Sequence, residues 1–194
     1  MFLEKKERKK TMISNLECIE YFGIEKSELV PGLLLIPSAL DSSTCNDLLF
    51  KIQENHWFSN GNQMMFFGKL PPFLSPVYDL GVKMLPKFQR MPLFNQCIAN
   101  YYRHSQGISP HIDLLKFDDG ILIISLSGTC TMDFIKNDQV VSFFLGPGDA
   151  ISLSNEARYE WAHSIPEKLN DMNDNGDLIK RTERISITLR SLKI

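Results

Sequence analysis

The chain has 194 residues, 43% of them apolar and 23% charged, a length that suits one domain able to bury a core without disulfides. Twenty-one Lys and Arg against 23 Asp and Glu leave a formal charge of −2, which excludes a strongly basic nucleic-acid coat but not a local basic groove. No apolar run reaches the length of a bilayer span, and the opening MFLEKKERKK lacks the apolar core of a signal peptide. A membrane or secreted protein is therefore not expected; an intracellular monomer, cytoplasmic or nuclear, is.

Residues 4–10 hold five basic and two acidic side chains. Lys5–Lys10 is read as a solvated terminus rather than a nuclear address or a phosphate-seeking arm. Residues 1–28 are expected to form this arm and a short helix over Thr11–Tyr21, and residues 29–194 a single domain. Val30–Pro37 reads as a strand, opened by Pro31 and Gly32. Asp41, Ser42 and Ser43 offer N-caps to a helix running through Cys45, Leu48, Leu49, Ile52 and Trp57. Gln63–Phe67 looks extended, and Ser75 or Pro76 starts a second helix with Val77, Leu80, Met84, Leu85 and Phe88 on one face.

Beyond residue 94 the pattern changes to short strands: Gln96–Tyr102, Gly120–Ser127, Thr129–Ile135, Val140–Leu145, Ala150–Ser154 and Arg184–Leu192. Turn signals such as Asp119–Gly120 and Gly146-Pro147-Gly148 separate them, which argues for a mainly β sandwich or barrel with helices packed on one outer face. Lys168–Lys180 has three Asp, three Asn and a Gly, and residues 167–182 are read as a mobile surface insertion. The cysteines at 18, 45, 97 and 130 form no CxxC spacing, so reduced, mostly buried thiols are expected and a zinc knuckle is not.

The chemistry concentrates in NYYRHSQGISPHID, residues 100–113. His111 and Asp113 are two apart, and on an extended segment such positions share a face. A third ligand has to come from His56, His104 or His163. His163, in RYEWAHSI, follows a predicted strand. Two His and one carboxylate form the facial triad of non-haem Fe(II) oxygenases. In RISITLR, Arg184, Ser186, Thr188 and Arg190 alternate with Ile185, Ile187 and Leu189. Two inward guanidiniums are costly unless they meet anions, and a dicarboxylate supplies two. The opposing reading places both at a solvated rim.

Together these segments resemble the AlkB family of Fe(II)/2-oxoglutarate dioxygenases. The resemblance is carried by Asn100-Tyr101-Tyr102, His111-Ile112-Asp113, RYEWAHS at 158–164 and RISITLR at 184–190. GISPHID, SLSGTCTMDF and ARYEWAHSI make the chain most similar to the eukaryotic branch that includes the dioxygenase domain of a tRNA wobble-uridine modifying enzyme. The resemblance implies a double-stranded β-helix, or jelly roll, with Fe(II) on His111, Asp113 and His163. It implies 2-oxoglutarate held at its distal carboxylate by Tyr102 and Arg184, and near the metal by Asn100 and Arg190. Ser186 stands where some relatives have Asn. With O₂ this chemistry yields succinate, CO₂ and a hydroxylated substrate; an N-methyl group treated this way leaves as formaldehyde.

A nucleic-acid base is the expected substrate, with RNA ahead of DNA. A basic protein such as a histone is the alternative, and a non-catalytic 2-oxoglutarate-binding module a third reading. Leu115 stands where base-repairing relatives often carry an acidic residue, and Gln63–Gly68 lacks Lys and Arg. Arg158 is expected either to orient Asp113 or the strand near the metal, or to join a structural ion pair, Trp161 and Tyr159 to be core, and His104 to be solvated. His56, Trp57, Phe66 and Phe67 occupy the segment that covers substrate in relatives, and core packing is the favoured role for them.

Overall fold

A computed structural model describes residues 28–193. Lys5–Lys10, Cys18 and the helix expected over Thr11–Tyr21 lie outside the described residues. Asp41 caps α1 (Ser42–Glu54), its carboxylate accepting from the Thr44 amide at 2.7 Å, which satisfies one orphan donor of the first turn. The helix ends three residues before Trp57. Asn55 caps it and His56 adopts a left-handed φ of 54°. That reversal packs the Trp57 ring against Phe66 and Phe73, with centroids 4.9 and 5.2 Å away. Pro76, in the first turn of α2 (Ser75–Met84), costs no helical hydrogen bond there.

The strands form two principal sheets. The major sheet is wholly antiparallel, in the order β1 (Leu33–Ile36), β8 (Ala150–Leu153), β5 (Ile121–Ser127), β12 (Arg184–Arg190), β3 (Gln96–Tyr102), β2 (Gln63–Phe67). The minor sheet runs β4 (Ile108–His111), β9 (Ala162–Ile165), β6 (Cys130–Lys136), β7 (Gln139–Leu145). Their facing surfaces enclose a core that includes Ile121, Ile123, Met132, Phe134, Phe143, Ile151 and Trp161. On its outer face the major sheet carries Cys97, Ala99, Leu122, Ile124, Ile187 and Leu189 against Cys45, Leu48, Ile52 and Val77 of the helices. This is the jelly roll with helices on one face that the resemblance implied. Cys45, Cys97 and Cys130 are buried free thiols; burial pushes the Cys97 thiol up to about 12, so it stays protonated and unreactive.

Three features differ from the strand pattern read in the sequence. RYEWAHSI, read as following a strand, contains the end of α3 (Glu156–Tyr159) and then β9, so His163 sits inside a strand. Ile108–His111 is a strand in its own right, paired to β9. The polar stretch read as an insertion carries a hairpin, β10 (Asn170–Met172) with β11 (Leu178–Lys180). Its composition hides one buried pair. Arg181 donates to both carboxylate oxygens of Asp171, at 2.5 and 2.9 Å, and to the Pro166 carbonyl at 2.7 Å.

Burial alone raises the Asp171 carboxyl. Hydrogen bonds from Arg181 and Thr131, together with the Arg181 charge, outweigh it and hold the group below the usual carboxylate range. The stabilisation is therefore present above the unfolded carboxylate's titration and is lost as pH falls below it through the lower titration of the folded state. Asp171→Ala leaves Arg181 buried and unpaired, and is expected to destabilise the protein by about 3–5 kcal/mol in urea denaturation at pH 7. Replacing Arg181 by Met in the same chain is expected to restore much of that loss.

Candidate active site

Side chains alternate across the major sheet, so register alone assembles its inner face. In β12 the even positions point inward and meet the even positions of β3: Arg184 lies opposite Tyr102, Ser186 opposite Asn100, Thr188 opposite Ile98 and Arg190 opposite Gln96. β2 extends three of these rows with Gln63, Met65 and Phe67, and β5 adds Ser125 and Ile123. The face is thus graded. One end carries Tyr102, Arg184, Ser186 and Asn100; the middle is Met65, Ile98, Thr188 and Ile123; the other end is Phe67, Gln96 and Arg190.

At the first end Arg184 is 2% exposed. Its Nη2 donates to the Ser125 hydroxyl at 2.7 Å, and the guanidinium lies 5.4 Å from the Tyr102 ring centroid. Its Nε and Nη1 are buried without a partner, and among the described residues no carboxylate pairs with it. Burial raises the Tyr102 phenol above its ordinary range, with Arg184 opposing; it remains a donor, and Ser186 reaches its hydroxyl. Gln63 donates its amide to Asn100 Oδ1 at 2.9 Å, fixing the flip of Asn100 and leaving its own NH₂ to donate. A buried cation with two idle N–H groups, beside a phenol and an amide, fits an anionic ligand and in particular a carboxylate.

At the other end the minor sheet brings in the histidines. His111 and His163 are direct partners across β4 and β9, with ring centroids 4.3 Å apart. His111 Nδ1 stands 2.9 Å from the Ser109 carbonyl. A carbonyl only accepts, so Nδ1 carries the proton and Nε2 of the neutral ring keeps its lone pair. Burial, reinforced by His111 and opposed by Asp113, pushes His163 down to about 4, so it is uncharged at neutral pH. Asp113 Oδ1 is 2.5 Å from Arg190 Nη2, while Oδ2 is buried and unpartnered. Among the described residues, no three His, Cys, Asp or Glu side chains converge closely enough to hold a metal. The two imidazoles are together, and the carboxylate is turned to Arg190. Two imidazoles and an idle carboxylate oxygen still suit a divalent iron.

A cavity of about 310 Å³ opens on this end, lined by His111, Asp113 and Arg190 and rimmed by Met65, Phe67 and Leu114. Phe67 is 55% exposed, so the core role expected of it is wrong, whereas Trp57 and Phe66 do pack inward. His56 is solvent-exposed and not core; His104 is exposed as expected. Ile112 and Leu114, and not Leu115, are the isoleucine and leucine that this segment gives the cavity. A larger groove of about 650 Å³ lies around Leu70, Pro72, Tyr78 and Phe94, and its lining has no histidine, cysteine or carboxylate. Sequence reasoning missed Gln63, Ser125 and Gln96, because only the pairing register places them beside the predicted residues. Trp161 is buried as expected.

Among the described residues Arg158 makes no ion pair. Fully buried, it donates to the carbonyls of Asp113, Leu114 and Phe117 at 3.0, 2.9 and 2.8 Å. It therefore holds the main chain that presents Asp113, and not the Asp113 carboxylate.

Jelly-roll sheets enclosing a histidine pair, an idle carboxylate oxygen and an unpaired buried guanidinium define an oxygenase-type site. The chain belongs to the 2OG-Fe(II) oxygenase superfamily, whose family model matches residues 53–190. It is AlkB-like, an oxidoreductase using Fe(II), 2-oxoglutarate and O₂. It is 26% identical over 218 residues to the "Alkylated DNA repair protein ALKBH8 homolog" of Arabidopsis thaliana, a match covering 91% of this chain and 63% of that protein. It is 33% identical over 116 residues to the tRNA (carboxymethyluridine(34)-5-O)-methyltransferase alkbh8 of Xenopus tropicalis, covering 51% of this chain and 18% of that one. The chain thus spans under two thirds of either relative. The solved structure of OsALKBH1 shares the fold at a TM-score of 0.61 and 15% identity, covering 83% of this chain and 98% of that one.

Arg158→Met removes at once the donors to the carbonyls of Asp113, Leu114, Phe117 and Asp118. Unfolding in denaturant is expected to show a loss of at least about 3 kcal/mol. Amide exchange is expected to accelerate over residues 113–118 more than in the major sheet.

Proposed function

We propose that this chain hydroxylates or oxidatively demethylates a modified nucleobase, in RNA in preference to DNA. The observation that carries the reading is the mouth of the histidine cavity: the exposed Phe67 ring, with Met65 and Leu114 beside it and Lys116 in the lining, makes an apolar slot for a planar group next to a cation. Enzymes that oxidise a base take it out of its stack into such a pocket. RNA is favoured because the Xenopus relative is named for a tRNA uridine. No carboxylate at position 114 or 115 is available to hold the exocyclic amine of adenine or cytosine.

In this reading His111, Asp113 and His163 hold the iron, with Asp113 leaving Arg190 to do so. Tyr102, Arg184 and Ser186 hold the distal carboxylate of 2-oxoglutarate, and Asn100 and Arg190 the end near the metal. When bound, iron and 2-oxoglutarate supply the oxidising chemistry, O₂ and the cosubstrate giving succinate, CO₂ and an oxygenated C–H position. The chain's own residues supply the rest. The Ser109 carbonyl fixes the His111 tautomer, Arg158 sets the main chain behind Asp113, Gln63 aims Asn100, and the Phe67 rim keeps water from the reacting end. The overall charge of −2 also suits a basic protein tail, which is the competing substrate class.

Arg184→Ala removes the buried cation that lies beside Tyr102 at the distal end. Anaerobic calorimetry on the metal-loaded protein is expected to show 2-oxoglutarate affinity weakened by about 1.5–3 kcal/mol, roughly ten- to a hundredfold; unchanged affinity refutes the assignment.

For the substrate, succinate release by the iron-loaded chain is measured with three additions. These are RNA carrying modified uridine, DNA carrying N1-methyladenine, and a methylated histone-tail peptide. Stimulation by the RNA is expected. Stimulation by the peptide alone assigns the chain to the protein class, and robust demethylation of the DNA overturns the RNA preference.

A further inference from the structure

We propose that the Gln96 carboxamide determines specificity in the substrate cavity by accepting the single imide N–H of a uracil-type ring lying against Phe67. The inference rests on the nucleobase reading above and adds to it the group that reads the base.

Buried side-chain atoms without a partner are few among the described residues, and most have a use in that reading. Arg184 Nε and Nη1 and Arg190 Nε face the cosubstrate's place, and Asp113 Oδ2 the metal's. Trp161 Nε1 lies in the core between the sheets. Gln96 Oε1 remains. Gln96 is 1% exposed, lines the cavity, and sits in register between Phe67 on β2 and Arg190 on β12. It carries no hydrogen bond within the cavity that satisfies its oxygen. A neutral amide left unpaired in a desolvated pocket is costly, and a ligand N–H removes that cost.

The donor and acceptor count selects the ligand. Around Gln96 the lining residues Phe67, Met65, Leu114 and Phe117 are apolar, and Lys116 only donates. With Asp113 committed to metal or Arg190, the pocket offers one free neutral acceptor. The exocyclic amine of adenine or cytosine brings two hydrogens, so one is left unpaired against the apolar rim. The uracil imide brings one, flanked by carbonyls that Gln96 Nε2 and Lys116 can serve. Sites that read a base through hydrogen bonds discriminate far more than apolar pockets do.

The test uses the full chain loaded with Mn(II) and 2-oxoglutarate, without O₂, so that binding is read apart from turnover. The probes are fluorescent oligouridine, the same oligomer carrying N3-methyluridine, and a basic histone-tail peptide. N3-methylation is expected to weaken binding by about ten- to a hundredfold in the wild type. In Gln96→Leu the two RNAs are expected to bind within about threefold of each other, with calorimetric 2-oxoglutarate affinity confirming that the variant is folded. Equal binding of the two RNAs by the wild type, or undiminished discrimination in Gln96→Leu, overturns the role of Gln96 and leaves the nucleobase reading standing. The wild-type comparison needs no variant, so misfolding of Gln96→Leu cannot shelter the proposal. Binding of the peptide with no binding of either RNA overturns the nucleobase reading itself, and this role with it.

Discussion

The structure depends on the side-chain alternation of β12. This central strand has neighbours on both sides, β5 and β3, and its odd residues Ile185, Ile187 and Leu189 face the helices. That packing fixes the strand's face, because a one-residue slip would drive Arg184 and Arg190 into the helix core. Once the odd residues are seated, the even residues have no choice but the interior. Burying two guanidiniums follows from burying three apolar side chains, and the interior must then answer their charge.

Apart from Arg181, which is paired to Asp171, the fold answers its buried guanidiniums in three ways. Arg158 is satisfied by main-chain carbonyls, which accept without bearing a formal charge, and its function is structural. Arg190 has the Asp113 carboxylate. Arg184 has one hydroxyl and the face of an aromatic ring, leaving two N–H groups idle. Stability alone does not explain the last arrangement, since an unpaired buried charge is among the costlier things a fold can contain. An anionic ligand that arrives after folding does explain it, and the superfamily's cosubstrate is a dicarboxylate.

The longer strands, bounded by turn signals, were legible in the sequence. β3 and β2 occur with the predicted bounds, and β5, β7 and β12 within two residues of them. The histidine strands were not legible as strands, because β4 and β9 are four residues each and stand only through pairing with each other and with β6. The hairpin was hidden for a related reason: its polar composition looks solvated, and Asp171 and Arg181 reveal themselves only as a pair. Of the site, the residue types in the motifs could be read directly. Gln63, Ser125 and Gln96 could not, since glutamine and serine in a strand carry no signal until register sets them opposite Asn100, Ser186 and Arg190. The rim was misjudged on the same ground: Phe66 and Phe67 are adjacent and chemically identical, and strand parity alone sends one to the helices and the other to the cavity.

Register also explains why one short face can serve two ligands of opposite character. Along β12 the inward positions run from Arg184 through Ser186 and Thr188 to Arg190. At ~3.4 Å per residue, the two arginines stand roughly 20 Å apart along the strand. Both side chains reach back over this main-chain span, since Tyr102 feels both charges, and the middle rows of Met65, Ile98, Thr188 and Ile123 lie between the hydrophilic end and the cavity under Phe67. The second end is where β4 and β9 deliver the imidazoles, from a different sheet. The two sheets therefore divide the work: the major sheet binds along its face, and the minor sheet supplies the nitrogen donors at one end of it. A substrate approaching over Phe67 meets the histidine end without crossing the Arg184 end, so its binding and that of the distal carboxylate need not compete for the same side chains.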